Sequence, residues 1–414
     1  MSFSARTVVR GAAFVAAMAM PLQALAQSFE QPPSFQIEKV PGFWPSGNNY
    51  TIKSPVRSDG LLRVYTLTTP YGEFTVHGDQ MLRMRVNELA ALHELEKIAG
   101  SASYGKALLD AGLSPFRYTG RLITDPKKTV GDTVSGIGTM VDRFTSDIAS
   151  VGKTPGDPIS GLLGVTDQKR KLAAKVGVDP YTDFPPLDAR LSRLAEAAAA
   201  GGLTVSAAML AVPVGTVGLI VNNVSTASTI EGVRIDELAR DQTASQIVEI
   251  NRQRIFAIGV EYDVLQALLN NRSYTPIDMA VLVAALDSMS GIEDRAVFLQ
   301  RAAQIDTRPL AYFMRRHAEM LKNHQSRGAG FVRFVSLGGY PFNMTRKGRV
   351  IGVMPIDALA WTEKIAGVLR QCAADARKLA ATRQVELRIT GPATPRARKE
   401  LQALGWRVVE NAKF

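Results

Sequence analysis

FVRFVSLGGYPFNMTRKGRVIGVMP (331–355) decides the fold, because it holds three short runs rich in β-branched and aromatic residues with turn residues between them. FVRFVS (331–336), FNMT (342–345) and RVIGVMP (349–355) are typical of strands. The rest of the chain predicts a helix, a strand, a helix and a strand, at 359–382, 385–390, 395–404 and 406–410. This β-α-β-α-β order predicts a compact α/β module with at least partly parallel strand pairing.

The chain before this module is predicted to be almost entirely helical, from Asp79 to about residue 325. Asp79 is a suitable N-cap for the first helix, 80–98, which carries an apolar stripe at helical spacing. Loop signals rich in Pro, Gly and Asp lie at 154–158 and 179–186. The other predicted helices are 127–150, 165–176, 187–200, 203–222, 229–257, 259–270, 276–288, 292–304 and 308–325.

A small antiparallel β element is predicted at 50–76, after a Pro-rich lead. Its main strand is 61–69, flanked by turn residues at 58–60 and 70–72, and 73–76 is a short return strand. Because two or three short strands are marginal alone, we expect them to pack on something larger. The predicted fold class is therefore α+β, with a predominantly helical body, this N-terminal element and the C-terminal α/β module.

The chain has 414 residues, 46% of them apolar and 21% charged, which excludes an intrinsically disordered chain and allows a sizeable core. Residues 1–26 have the three parts of a secretory signal peptide. Arg6 and Arg10 are positive, 11–23 is apolar and uncharged, and Ala24-Leu25-Ala26 is a small-x-small cleavage site. We therefore expect export, with cleavage after Ala26, to the periplasm or outside the cell. The predicted segments are a signal peptide (1–26), a β-rich element (27–78), a helical domain (79–326) and a basic α/β module (327–414).

The positive charge is concentrated in that last segment. The whole chain has a net charge of +11, and residues 327–414 hold 16 Lys and Arg against 6 Asp and Glu. The signal peptide carries two more arginines, so residues 27–326 are close to neutral. This distribution indicates that the C-terminal module has an anionic partner.

One candidate anion site lies where the predicted strand 385–390 ends. A helix that begins at Pro395 with Thr394 as its cap would direct backbone N–H groups and its dipole at an anion there. Ligands of open α/β sheets bind at this end of the strands. The candidate anion-binding residues are Arg388, Gly391, Thr394, Arg396, Arg398 and Lys399. A capped helix with a solvated basic face is the alternative interpretation.

An uncharged stretch of 34 residues separates Glu196 from Glu231 and includes LTVSAAMLAVPVGTVGLIV (203–221). Within it Ala207, Ala211 and Gly215 recur every four residues, a small-residue face suited to close helix contact. The favoured interpretation is a buried central helix, apolar on all sides. The alternative is a segment that inserts into a membrane.

The octapeptide RGAGFVRF (327–334) resembles the RNP1 motif of RRM domains at seven of eight positions and departs from it at Ala329. The resemblance implies aromatic side chains on a sheet face that stack on bases. The region 259–325 is predicted to be helical, however, and lacks the upstream β-α-β unit of that family. Nucleic acid is therefore not the expected partner.

Signals for catalysis or metal binding are few. His93-Glu94 begins like a zinc-protease motif, but Lys97 stands where the second histidine is required. His317 and His324 lie about two helical turns apart, too far to share one metal without other elements. Cys372 has no partner cysteine, and we expect a small packed apolar side chain rather than a reactive thiol. We predict no metal and no cofactor, and no catalytic residue is assigned.

The leading functional hypothesis is an exported binding protein of the cell envelope whose basic C-terminal module engages an anionic ligand or surface, with possible peripheral membrane contact. One alternative is a membrane-active helical protein that inserts 203–221. Another is a hydrolase of an envelope polymer whose catalytic residues meet only in the folded chain. The sequence leaves the oligomeric state open.

Overall fold

The computed structural model of the chain describes residues 29–47, 49–99, 159–200, 229–230, 233–379 and 384–414. Outside these ranges lie the predicted signal peptide (1–26), the helix predicted at 127–150, and the segment 203–221 with Ala207, Ala211 and Gly215. Within them the architecture is α+β, as predicted, with an antiparallel sheet near the N-terminus and a mixed sheet at the C-terminus. The boundaries between the four segments stay predictions.

The N-terminal sheet is built around one central strand. Its members are β1 (Ser46–Gly47), β2 (Tyr50–Ile52), β3 (Arg57–Ser58), β4 (Arg63–Thr69) and β5 (Gly72–His77). β5 pairs antiparallel with the whole of β4, while β2 and β3 each pair antiparallel with part of β4. Tyr65 and Leu67 of β4 are fully buried against the helices that follow. The sheet therefore has the larger partner that its small size requires.

Those helices are α1 (Asp79–Ala99), α2 (Ile159–Val176) and α3 (Pro185–Ala200). α1 and α3 run parallel, since Glu88 of α1 accepts a hydrogen bond from Thr182 just before α3, and Glu96 pairs with Arg190 further along both helices. Leucines at helical spacing on α1 and α3, together with Phe184, form one core with the N-terminal sheet.

The helical body continues with β6 (Thr229–Ile230), β7 (Val233–Arg234), α4 (Ile235–Asp241), α5 (Ala244–Ile258), α6 (Tyr262–Leu269), α7 (Pro276–Asp287), α8 (Ala296–Ala303) and α9 (Arg308–Ser326). The single helix predicted at 229–257 is wrong. Residues 229–230 pair antiparallel with residues 233–234, and Gln242 is extended between α4 and α5. Thr243 starts α5 with a capping box to Gln246, a start signal within the predicted helix.

The C-terminal module has the predicted alternation of strands and helices: β8 (Phe331–Leu337), β9 (Tyr340–Thr345), β10 (Arg349–Met354), α10 (Glu363–Lys378), β11 (Gln384–Ile389), α11 (Pro395–Ala403) and β12 (Trp406–Val409). The sheet order is β12-β11-β10-β9-β8. β8, β9 and β10 pair antiparallel, whereas β10, β11 and β12 pair parallel. α10 and α11 pack on one face of this sheet, and α9 packs on the other.

The loop that leaves β10, residues 356–362, ties the two sheets together. Its backbone N–H groups donate to the carbonyl oxygens of Gly60 and Leu61, just before β4. Gly391, after β11, packs so closely on this loop that a Cβ atom there would lie 1.8 Å from the Asp357 carbonyl oxygen. Only glycine fits such an approach, so the loop is held from both sides.

Asp357 of this loop caps α1 across a sequence separation of 278 residues. Its Oδ2 accepts the N–H groups of Asp79 (2.9 Å) and Arg63 (3.2 Å). The cap role predicted for Asp79 is wrong, because its carboxylate instead accepts bonds from the Arg63 guanidinium and the Tyr65 hydroxyl, each at 2.6 Å. Burial and the charge of Asp79 raise the pKa of Asp357, against the effect of the two N–H groups and Arg63.

A buried ion network connects α1, the loop before α3, α7 and α9. Arg85 pairs with Asp183 at 2.6 Å, and Arg308 bridges Asp183 (3.1 Å) and Asp278 (2.6 Å). Arg315 also pairs with Asp278 at 2.8 Å. The two arginines hold the pKa of Asp278 below its usual range despite its burial. Removal of one partner would leave an uncompensated buried charge, so these helices depend on the complete network.

Asp179 lies at the edge of this network as an additional carboxyl group. It accepts hydrogen bonds from the Tyr181 N–H (2.8 Å) and the Thr275 hydroxyl (2.9 Å). Burial and the negative charge of Asp278 raise its pKa to about 7. Because an unfolded aspartate has a pKa near 4, folded Asp179 keeps a proton that the unfolded chain has released between about pH 4 and 7. Its contribution to stability therefore falls as the pH rises through this window.

Asp179→Asn should remove that pH dependence, because asparagine resembles the protonated acid. The free energy of unfolding of the variant, relative to the wild type, should rise between pH 4 and pH 8 by as much as about 4 kcal/mol. Urea unfolding at a series of pH values measures this difference. Asp306→Asn, at an exposed position, should give a difference that stays flat with pH. A flat difference for Asp179→Asn as well would contradict the raised pKa.

Candidate functional site

Carboxylates of the chain itself lie at the start of α11, where the sequence places an anion. Thr394 caps α11 as predicted, its hydroxyl oxygen accepting the N–H of Ala397 at 3.1 Å. The same hydroxyl donates to Glu30 Oε2 at 2.7 Å, and the N–H of Ala393 donates to Glu410 Oε2 at 2.9 Å. The helix dipole favours negative charge at this end of α11, and the protein's own Glu30 and Glu410 carboxylates supply it.

The predicted arginines of α11 are paired with carboxylates. Arg398 donates to Glu410 at 2.7 Å, and Arg396 pairs with Glu400 at 3.3 Å. Lys399 is exposed to solvent. An external anion would therefore have to compete with the chain's own carboxylates here, and anion binding by Gly391, Thr394, Arg396, Arg398 and Lys399 stays a prediction.

Arg388 is separated from these residues by the sheet. Val385, Leu387 and Ile389 of β11 point into the core beneath α10 and α11. Side chains alternate along a strand, so Arg388 projects from the opposite face, the one on which α9 packs. The six predicted residues therefore do not form one site.

A different group of basic residues lies on that opposite face. Val350 of β10 and Trp406 of β12 belong to the core under α10 and α11, so their neighbours Arg349 and Arg407 share a face with Arg388. Arg327, at the end of α9, and the turn between β9 and β10 extend this surface. We call it the basic face; its members are Arg327, Arg346, Lys347, Arg349, Arg388 and Arg407.

His324, in the last turn of α9, lies among three of these arginines. Its ring packs against Phe331 (centroids 5.6 Å apart) and Phe414 (5.9 Å). Burial lowers the pKa of His324, and the positive charges of Arg388, Arg327 and Arg349 lower it further, against an opposing effect of Glu386. The imidazole is therefore neutral at pH 7, and the arginines supply the positive charge.

The turn between β9 and β10 is positive and exposed. Arg346 and Lys347 both face solvent, and neither forms an ion pair with a carboxylate in the described ranges. The backbone N–H of Arg346 donates to the Gly330 carbonyl at 3.2 Å, which holds the turn beside the end of α9. The Arg327 guanidinium donates to the Lys413 carbonyl oxygen at 3.2 Å.

Glu386 is the acidic group on this face, and it is completely buried. Its carboxylate accepts a hydrogen bond from Arg388 Nε at 2.5 Å and lies 3.7 Å from the Arg407 guanidinium. A buried carboxylate between two arginines fixes their positions but neutralises only part of their charge. The basic face therefore keeps a large excess of positive charge.

The sequence contained a signal for this face. VELRI (385–389) alternates apolar and charged residues, which places Glu386 and Arg388 together on one side of a strand. The contributions of Arg327, Arg349 and Arg407 depend on the register of three strands and on the position of α9, which alternation alone does not give.

The aromatic residues of the RNP1-like octapeptide are part of the core. Phe331 is 4% exposed and Phe334 is 1% exposed, and both pack with the helical body. Neither ring is available to stack on a base.

The chain matches no protein-family model, no curated protein and no solved structure. Among the described residues, no helix is long and apolar enough to cross a membrane, and no group of three His, Cys, Asp or Glu side chains could hold a metal ion.

Cys372 is buried, as expected for a packed apolar side chain. Its thiol donates to the Leu337 carbonyl oxygen at 3.2 Å, and burial together with Asp375 raises its pKa to about 12. We expect the native protein to react with a disulfide reagent such as DTNB at least about 100-fold more slowly than the protein unfolded in urea, because the thiolate is the nucleophile. Rapid stoichiometric labelling of the native protein would contradict this assignment.

Proposed function

We propose that the chain is an exported binding protein of the cell envelope whose basic face engages phosphate headgroups on an anionic membrane surface. The observation that carries the proposal is the basic face itself. Arg388 and Arg407 flank the buried Glu386 carboxylate, and the other four cationic side chains, on β10, at the end of α9 and on one turn, extend the positive charge. The planar guanidinium of arginine matches the geometry of phosphate and can bind it through two hydrogen bonds.

The charge distribution of the whole chain supports an anionic partner for this module. Residues 327–414 hold 16 Lys and Arg against 6 Asp and Glu, whereas residues 27–326 are close to neutral. If the positive charge served only to keep the protein soluble, it would not need to be concentrated in one segment. This excess of positive charge attracts an anionic partner over about a Debye length, roughly 8–10 Å in physiological salt.

The spread of the basic face favours a surface over one small anion. β10 and β11 are adjacent strands, and Arg388 of β11 lies four residues further along them than Arg349 of β10. Arg407 lies on the next strand, β12. With about 3.3 Å per residue and 4.8 Å between strands, the backbone positions spread over roughly 13 Å by 10 Å. One phosphate group cannot contact all of them, whereas neighbouring headgroups of a membrane can.

Export supports the same partner. The signal peptide predicted at 1–26 would carry the protein to the envelope, where anionic lipids are abundant and nucleic acid is not.

Reversal of exposed charges on the basic face tests the proposal. We expect the triple variant Arg346→Glu, Lys347→Glu, Arg407→Glu to bind vesicles of phosphatidylglycerol and phosphatidylcholine at least about 100-fold more weakly than the wild type in sedimentation assays. This estimate takes about 1 kcal/mol for each basic residue at an anionic surface. Wild-type binding should also weaken steeply between 50 and 300 mM salt and be absent on pure phosphatidylcholine.

The matched control is Lys39→Glu, Arg57→Glu, Arg272→Glu, which makes the same charge change at exposed positions outside the module. It should bind nearly as well as the wild type. Equal losses in both triple variants, or no loss in either, would contradict the proposal. Binding of soluble polyphosphate without binding to anionic vesicles would also overturn the membrane as partner and leave free phosphate as the ligand.

A further inference from the structure

Phe29 and Glu30 dock onto the C-terminal module at the end opposite to the start of β10; we call these two residues the N-terminal strap. The Glu30 carboxylate oxygen Oε2 accepts the N–H of Trp361 at 2.6 Å and the Thr394 hydroxyl at 2.7 Å. The Glu30 N–H also donates to the Trp361 carbonyl at 3.0 Å. The strap therefore joins the loop after β10 to the start of α11.

The two donors that hold Glu30 form a socket that requires an oxygen acceptor. The Thr394 oxygen already accepts the N–H of Ala397, so the hydroxyl proton is free to point at Glu30. The N–H of Trp361, a residue only 1% exposed, points at the same oxygen. Without an acceptor, both donors would be left unsatisfied, at a cost of about 1–3 kcal/mol each.

A positive charge lies beside the aromatic rings of two residues at the socket. The Arg370 guanidinium carbon is 5.4 Å from the centre of the Trp361 ring and 5.8 Å from the centre of the Phe29 ring. The socket thus combines two hydrogen-bond donors from separate elements with a nearby cation, and it already holds a carboxylate.

Among the described residues, the strap is held by the hydrogen bonds of Glu30 and by Phe29, which packs against the core under α10 and α11. Phe29 and Glu30 are only partly buried, and Gln31, Pro32 and Ser34 are exposed. The next backbone hydrogen bonds are those between Phe35 and Val56 in the N-terminal region. A short, partly buried segment of this kind opens locally at a cost in free energy below that of global unfolding.

We propose that the socket formed by the Trp361 N–H and the Thr394 hydroxyl is a binding site for a carboxylate or phosphate group, with Glu30 as its built-in, displaceable occupant. A ligand that carries such a group takes the place of Glu30 when the strap opens. Because the strap is tethered nearby, its effective concentration is in the millimolar range or above, and it excludes dilute free anions. This site is separate from the basic face and does not depend on the proposed function.

Glu30→Ala empties the socket and tests the proposal with acetate as the probe. In ¹H–¹⁵N spectra of the variant, the Trp361 amide signal should shift with added sodium acetate and saturate in the millimolar range, while equal sodium chloride has no such effect. The melting temperature of Glu30→Ala should fall below that of the wild type and recover with acetate. The wild type and the exposed-site control Glu38→Ala should show neither effect.

Glu30→Gln keeps an acceptor oxygen without the charge, and it remains informative if Glu30→Ala does not fold. Acetate should displace this neutral strap at concentrations that leave the Trp361 amide signal of the wild type unchanged. A Trp361 amide signal that does not respond to acetate or inorganic phosphate in either variant would overturn the proposal. Substitutions on the basic face should leave this titration unchanged, so the two proposals fail independently.

Discussion

The hydrogen bonds that the Asp357 carboxylate accepts from Arg63 and Asp79 are the constraint on which the rest of the structure depends. They join the first strand of the main N-terminal pair, the start of α1 and the loop after β10. Since the carboxylate is 3% exposed, water does not replace these bonds when they are lost. Segments almost 300 residues apart in the sequence are thereby fixed in one arrangement.

This arrangement decides which surfaces of the C-terminal module are exposed. The carboxyl ends of β10 and β11, where open α/β sheets bind ligands, are covered by residues 60–63 and by the N-terminal strap. The exposed positive charge lies instead on the sheet face beside α9 and on the turn that begins β10. One end of the module is thus closed by the chain's own carboxylate, while Arg346, Lys347 and Arg407 of the basic face are exposed to solvent.

Sequence patterns predicted the elements of the C-terminal module well, because period-two and period-3.6 patterns, caps and turns are local signals. Asp79 shows the limit of these local signals. They predicted the start of α1 correctly, but the residue that caps this helix is Asp357, which is distant in the sequence. The carboxylate partners of Thr394 and Arg398 also lie outside the helix that carries them. Arg398 meets Glu410 across the helix and the last strand, and Thr394 meets Glu30 from the other end of the chain. A candidate site built from neighbours in the sequence therefore omitted the carboxylates that balance it.

Native-state hydrogen exchange of the Arg63 and Asp79 amides tests this account most directly. In Asp357→Ala both amides should lose protection together, along with those of the first turn of α1, because one acceptor serves both. The amides of β10 and β11 should keep most of their protection, and Asp357→Asn, which retains an acceptor oxygen, should exchange more slowly than Asp357→Ala. Unchanged protection of Arg63 and Asp79 in Asp357→Ala would contradict the central role of this carboxylate.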